Sequence, residues 1–596
     1  MTDASDRRAL PWLGLAFILI LYLISILRLH PTNFFGLTQD DTIYFSSAQA
    51  LAAGRGYILP SIPGSPPATK YPILYPWILS WIWRWNPSFP SNVADAVAFT
   101  VACGIAYLVL AFAFLRRLAG IGDAEALLLT AFCALHPTIL FYSASVLTDI
   151  PFSALALAAM FVADRAMRRD GAARTRGAPS AEGALGAISC AILTGCALLM
   201  RVLGVPIALG IFLAALWRRA WKQAAIYAAC VAPFFAAMAW RVVAARHAAL
   251  PANFNSAGPA FQRTWLYYTS YLGFRKLSMV NAHLVGSMLL SQLTYFFTEL
   301  PGYFLSPLFH RNIALLFAAT LIVFCMIFSG TIRQARLSAA RHATPRAGDP
   351  RSTPRAHRYD WQPIHFALPL TFAVILTWDY PEVQRFLIPF LPLLAASLWI
   401  EAKWIARKLF AALRAPRPTL QRIFAAALAL AFFAGELGIA WNFVFNADRA
   451  TQRRASVERG ALLAQKREGY DWLRQNSSPD ARVVAGEDAA LYLYTGRQAM
   501  AHIALQRSGA YDDAYLQTDL NHMTDVAKAI DAQYWFASSD DSDKQWLAAK
   551  PFLAARFSEI ESALPEVFRS SDGSVRIYDL TCLQHPEISS CNSTTH

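Results

Sequence analysis

Residues 15–45 read LAFILILYLISILRLHPTNFFGLTQDDTIYF. The uncharged run from Leu13 to Leu27 approaches the ~20 residues that a helix needs to cross a bilayer. Shortly after it, Asp40 and Asp41 stand side by side. A local reading and a chemical reading both account for them. Thr38 followed three residues later by Asp41 is a capping-box pattern, and acids in a first helical turn suit the positive end of the helix dipole. An ionised carboxylate at such a place can also accept a proton from a substrate. The rest of the chain decides the context.

That context is a membrane. The chain has 596 residues, of which 56% are hydrophobic and only 15% charged, and its mean hydropathy is +0.34. A soluble domain carries about 25% charged residues. Further apolar runs include VAFTVACGIAYLVLAFAFL, IALLFAATLIVFCMIF and IFAAALALAFFAGELGIAW, each close to bilayer-spanning length. The pattern predicts an all-α polytopic protein with about eleven transmembrane helices, near 9–29, 93–115, 124–142, 150–167, 184–200, 202–217, 223–245, 311–330, 362–378, 386–402 and 423–445. Segment 284–305 could supply a further spanning or re-entrant helix. Arg7-Arg8 precede the first run, and no small-residue cleavage site follows it. That reads as a signal anchor with its N-terminus inside.

The net charge of +14 does not point to nucleic acid. From residue 446 onward there are 16 Lys+Arg against 21 Asp+Glu, a net of −5, so the preceding part carries +19. Much of that excess sits in short loops such as RAMRRDGAARTR and WRRAWK. Basic short loops are cytoplasmic by the positive-inside rule, so the charge reports topology. The expected location is the inner (plasma) membrane, crossed many times.

Outside the spans, two regions carry structure. In the loop 30–92, TQDDTIYFSSAQALAAGRGY reads as a helix stopped by Gly-Arg-Gly, and PSIPGSPPATKYP as a turn region. ILYPWILSWIWRW, with Trp77, Trp81, Trp83 and Trp85, reads as an amphipathic or half-inserted helix along the outer face. Residues 446–596 read as a soluble α/β domain outside the membrane, with strands at RVVAG, AQYWFAS and SVRIYDL. Residues 1–445 are then the membrane domain, and 331–360 a disordered cytoplasmic loop. Six cysteines fall in apolar runs, where a small buried hydrophobe is expected. Cys582 and Cys591 are close enough in sequence for a disulfide if they lie outside the cell.

Charged residues on the outer side are few: Asp40, Asp41, Lys70, Asp149, Arg201, Glu382 and Arg385. Ionisable groups at membrane depth are costly and mark function by default. Each also has a structural reading: Lys70 can snorkel to headgroups, Arg201 can pair with a neighbouring Asp, and Asp149 before Ile-Pro can open a helix. Together, carboxylates with Lys and Arg divide the labour of transfer from a phosphate-linked donor. The cations hold phosphate, and a carboxylate takes the proton of the attacking group.

The order DDTIYFSSAQALAAGRGY, TKYPILYPWIL, TDIPF, MRVLGVP and QRFLIPFLP resembles membrane glycosyltransferases of the C-type fold (GT-C). It is most similar to the bacterial family 39 type, related to protein O-mannosyltransferases and lipid A aminoarabinose transferases. The resemblance covers roughly residues 8 to 445. It implies inverting transfer of a hexose or pentose from a polyprenyl-phosphate sugar to an envelope glycolipid, polysaccharide or protein. By the same resemblance Asp40 is the base, Asp41 its neighbour, and Asp149 the second acid. Lys70, Arg201 and Arg385 bind the donor phosphate, and Tyr44, Tyr71 and Glu382 contact substrate. Where many relatives have Asp-Glu, this chain has Asp-Asp, so the second acid reaches less far. Some relatives use a divalent metal and others do not; two or three carboxylates can hold one, and none is assigned here. The competing reading is a transporter or flippase of a lipid-linked saccharide, which would show charges along a transmembrane path and inverted repeats.

Overall fold

A computed structural model describes residues 6–269, 286–293, 313–343, 359–376, 383–412, 451–501, 522–539 and 551–581, except for 37, 119, 175–180, 247–249, 287–288 and 291, together with Val444. The chain divides into two compact units. One holds residues 1–31, 97–236 and 292–453, and the other 32–96, 237–291 and 454–596. Residues 32–96 thus belong to the same unit as the C-terminal segment.

The first unit is helical. Among the described residues of the whole chain, seven helices are long and apolar enough to span a membrane, or eight if one bent pair is a single span. The architecture is therefore polytopic, as the sequence indicates. Helices Asp6–Arg28, Val93–Leu115, Asp149–Arg174, Ala181–Met200 and Trp221–Arg246 lie within a few residues of their expected places. Gly204–Trp217 and Pro363–Leu376 are shorter apolar helices that pack against each other. The helix Ile313–Ala343 packs on Leu391–Ala412, and Gly330 lets them meet. A Cβ at Gly330 would collide with the backbone carbonyl of Ser397.

Three local expectations change. The expected helix 124–142 is two helices, Asp123–Leu135 and Pro137–Ser143, bent by 56°. Pro137 cannot continue the first helix but starts the second, where His136 Nδ1 accepts from the Thr138 amide at 3.2 Å. The helix expected to end at 330 continues to Ala343, so 331–343 is ordered helix rather than disordered loop. Its polar end is held by tertiary contacts: Arg333 pairs with Glu401 at 2.8 Å, and Ser338 donates to Asp360 at 2.6 Å. Residues 344–358, most of 284–305, nearly all of 423–445 and both Cys582 and Cys591 lie outside the described residues.

The second unit contains the α/β part. The strands are β1 (Arg482–Ala485), β2 (Gln498–Met500), β3 (Tyr534–Ser538), β4 (Glu566–Arg569) and β5 (Val575–Asp579), in the order β2-β1-β3-β5-β4. β1 is parallel to β2 and β3, whereas β5 runs antiparallel to β3 and β4. The sequence signals β1, β3 and β5; β2 and β4 are short and depend on their neighbours. Tyr470 and Leu473, on the helix Thr451–Asn476, join Val483, Phe536, Val575 and Ile577 in the core.

Residues 32–96 supply helices Gln39–Ala52 and Leu74–Trp85, which pack on each other. On the second helix, Tyr75, Leu79 and Trp83 are buried, while Trp77, Trp81 and Trp85 repeat every four residues on the exposed side. Both sides are therefore apolar. Such an exposed tryptophan stripe suits the headgroup level of a bilayer.

Candidate functional site: two polar centres

The first centre lies in the helical unit and is built on Asp149, the first residue of its helix and fully buried. Arg385 reaches it with two parallel bonds, Nε to Oδ1 and Nη2 to Oδ2, both at 3.0 Å. Arg201 Nη1 donates to the same Oδ1. Arg201 occupies the break between the helix ending at Met200 and the one starting at Gly204, which frees its side chain to turn inward. Its guanidinium rests 5.1 Å from the Phe386 ring, and that of Arg385 5.7 Å from the Tyr142 ring. A planar, permanently charged fork over an aromatic face is a typical arginine placement. Glu382 lies outside the described residues.

The second centre lies in the unit formed by 32–96, 237–291 and 454–596. Its helix starts at Gln39, but not through a capping box. The Thr38 side chain makes no cap bond. Instead Asp41 reaches further back, with Oδ2 accepting from the Gly36 amide at 2.7 Å and Oδ1 from Thr42 at 2.8 Å. Gly36 has φ 85°, a turn that favours glycine. Asp41 is fully buried, so its carboxylate fixes the loop-to-helix turn. Asp40 is half-buried. The Tyr71 hydroxyl donates to its Oδ1 at 2.6 Å. Tyr44 is buried edge-on against Tyr71, with ring centroids 5.0 Å apart.

Lys70 is 8% exposed. Its ammonium sits 3.6 Å from the centre of the Tyr267 ring and 5.3 Å from that of Tyr71. Among the described residues it forms no ion pair. Burial pushes Lys70 down to about 8, against the pull of the Asp40 charge. The loop around it is clamped: Arg241 donates to the carbonyls of Ala68 at 2.6 Å and Tyr71 at 3.3 Å, and Tyr57 donates to the Tyr71 carbonyl at 3.2 Å.

Sequence reasoning missed four residues here. Gln39, beside Asp40, donates from Nε2 to Asp488 Oδ1 at 3.1 Å and to the Tyr268 hydroxyl at 3.3 Å. The Tyr267 hydroxyl donates to Gln39 Oε1 at 2.8 Å. Asp488 opens a helix after β1, a position where an acid reads as a dipole partner, so nothing local marks it. Tyr267 and Tyr268 lie near the end of the helix Gly258–Thr269, in a segment with no motif.

Among the described residues, no group of three or more His, Cys, Asp and Glu converges as metal ligands. Both oxygens of Asp41 are already taken by backbone amides.

No protein-family model and no curated protein matches the chain. Solved structures do match by fold. The apo oligosaccharyltransferase of Archaeoglobus fulgidus is similar with TM-score 0.52 at 14% identity, over 94% of this chain and 74% of that one. The same enzyme tethered to an acceptor peptide gives 0.51 at 14% identity, over 94% and 73%. ArnT of Cupriavidus metallidurans bound to undecaprenyl phosphate aligns over 97% of this chain and 98% of its own, with TM-score 0.48 and 14% identity. The chain has the GT-C fold.

Proposed function

We propose that this protein is an inverting glycosyltransferase. It moves a sugar from a polyprenyl-phosphate donor to an envelope acceptor outside the membrane, with its N-terminus cytoplasmic and residues 446–596 as a domain outside. The observation that carries this reading is Lys70. It is a buried ammonium on a tyrosine face, beside a half-buried carboxylate and with no ion-pair partner among the described residues. Leaving a buried cation without a carboxylate is costly unless an anion comes to it. The GT-C fold and the lipid carried by ArnT make a polyprenyl phosphate the fitting anion.

Asp40 takes the proton of an acceptor hydroxyl or amine, and the freed oxygen or nitrogen attacks the anomeric carbon. The bond from that carbon to the phosphate oxygen breaks on the opposite side. Its electron pair leaves with the polyprenyl phosphate, and the configuration inverts. Lys70 stabilises the departing phosphate, the larger contribution where charge develops in a dry site. Tyr71 orients Asp40 through its 2.6 Å bond, and Tyr44 supports Tyr71. Between the paired acids the geometry favours Asp40 as base, because Asp41 is fully buried and engaged with the backbone. Arg201 and Arg385 are proposed as phosphate ligands whose geometry is set by Asp149, with Glu382 as a substrate contact.

The test compares envelope glycolipids, polysaccharides and glycoproteins in a strain lacking the protein with the same strain carrying the wild type or Asp40→Asn. A sugar lost on deletion should return with the wild type and stay absent with the variant. No change in any glycoconjugate on deletion would overturn the reading.

A further inference from the structure

Asp488 is fully buried, and its three hydrogen-bond partners are neutral. Oδ1 accepts from Gln39 at 3.1 Å and from the Tyr268 hydroxyl at 2.6 Å, while Oδ2 accepts from Ser61 at 3.1 Å. Burial pushes its carboxyl up to about 6, against the lowering by the bonds from Tyr268, Gln39 and Ser61. At neutral pH the fold thus holds a charge in its interior with no cation on it among the described residues. A buried charge without a cation costs stability, and a role in placing its neighbours would account for it.

Its contacts supply one. Gln39 receives the Tyr267 hydroxyl at 2.8 Å on its amide oxygen while its amide nitrogen is bound by Asp488. An amide has one acceptor end and one donor end, so anchoring the donor end fixes which way the oxygen faces. That oxygen places Tyr267, whose ring lies under the Lys70 ammonium. Gln39 is also the first residue of the helix that carries Asp40. The same stretch of chain grips the Lys70 loop a second time. The Ala499 amide donates to the Ser61 carbonyl at 2.7 Å, and Gln498 Nε2 reaches the carbonyls of Pro60 and Ile62.

We infer that Asp488 is a positioning residue: acting through Gln39 and Tyr267, it sets the face on which Lys70 rests and the first turn that presents Asp40. The inference rests on the phosphate-holding role proposed for Lys70, and it gives the C-terminal segment a part in the site. The chain of contacts reads Asp488, Gln39, Tyr267, Lys70.

The test uses the full-length protein in lipid nanodiscs and two measurements. The first is affinity for undecaprenyl phosphate in the wild type, Asp488→Ala, Asp488→Asn and Gln39→Met, each with and without Lys70→Met. Asp488→Ala should weaken binding about tenfold, equivalent to ~1.4 kcal/mol. Asparagine keeps an acceptor for Gln39 and Tyr268 and turns a donor to the Ser61 hydroxyl, so Asp488→Asn should restore binding to within about threefold of wild type. Gln39→Met, which breaks the chain of contacts without touching the C-terminal segment, should match Asp488→Ala. In the Lys70→Met background none of these changes should matter by more than about twofold. Equal weakening with and without Lys70 would mean a general structural effect and would overturn the inference. The second measurement is the rate at which an amine reagent labels Lys70, followed by mass spectrometry, which needs no donor. Faster labelling in Asp488→Ala and Gln39→Met supports the placement even if the wild type binds no undecaprenyl phosphate, an outcome that sinks the phosphate reading alone. Unchanged labelling overturns the inference whatever the binding shows.

Discussion

Asp149→Asn should destabilise the helical unit more than an ordinary polar substitution. Asp149 is fully buried and compensates two guanidinium groups, Arg385 through two bonds of 3.0 Å and Arg201 through one more. Asparagine has nearly the same shape and keeps one acceptor oxygen, but it removes the negative charge and turns a donor toward a cation. Breaking a buried pair in this way costs about 3–5 kcal/mol, because the charges left behind are neither paired nor solvated. The retained acceptor puts the expected loss near ~3 kcal/mol, and two orphaned arginines keep it from being less. The assay is heating of detergent-solubilised full-length protein, with the monodisperse fraction read by size-exclusion chromatography. At the scale of ~2–4 °C per kcal/mol for mid-sized domains, the midpoint should drop by at least ~5 °C. Adding Arg385→Gln to Asp149→Asn removes one orphaned cation, so the double variant should be more stable than the sum of the single losses by over ~1 kcal/mol. A midpoint within about 1 °C of wild type, or strict additivity, would refute the claim that Asp149 exists to hold the arginines.

Asp40→Asn should lower transfer by about 10²–10⁴-fold, the usual contribution of a general base, with the melting midpoint unchanged because Asp40 is only half-buried. For Lys70, the folded value of about 8 lies below the ordinary 10.5. The unfolded chain therefore binds more protons between those limits, and stability relative to Lys70→Met should rise with pH across that window. Donor binding should do the reverse and fall as pH passes about 8, so parallel rather than opposed trends would remove Lys70 from phosphate binding. Asp488 has the opposite shift, from 3.8 to about 6. Its contribution is present below pH 4 and is lost as pH rises through 6, so at pH 7.5 Asp488→Asn should melt higher than wild type, by up to ~3 kcal/mol. A lower melt at that pH would show that the charge is stabilising.

The sequence shows the spans and the acid pair because both are local. Val93–Leu115 is predicted to the residue, since a bilayer imposes length and apolarity on one continuous segment. The bend at His136-Pro137 was also legible in principle, but an apolar window averages over a proline. Residues 331–343 look like a disordered tail by composition and are helical because Arg333 and Ser338 find Glu401 and Asp360, residues 68 and 22 positions away. The site divides in the same way. Asp40, Asp41 and Lys70 belong to motifs, whereas Gln39, Tyr267 and Asp488 matter only through contacts spanning 228 and 449 residues. Thr38 and Asp41 show the local limit of pattern reading. The spacing is that of a capping box, yet the carboxylate finds the Gly36 amide, because a glycine at φ 85° brings that donor within reach.

Formal charge separates two accounts of the Asp149 centre. Asp149, Arg201 and Arg385 together carry +1, so the carboxylate orders the cations without cancelling them. If attraction alone governed phosphate affinity, Asp149→Asn would raise the charge to +2 and tighten binding. If the fork geometry governs it, the variant loosens both arginines and weakens binding, since two parallel bonds require the guanidinium to be held in plane. The placement of both guanidinium groups against the Phe386 and Tyr142 rings favours geometry. Inorganic phosphate titrated against the full-length protein decides between them without a donor lipid. At low ionic strength Asp149→Asn should bind it several-fold more weakly than wild type, and Arg385→Lys should lose a similar factor although its charge is intact. Tighter binding in Asp149→Asn would refute the geometric account, and undiminished binding in Arg385→Lys would show that a point charge suffices.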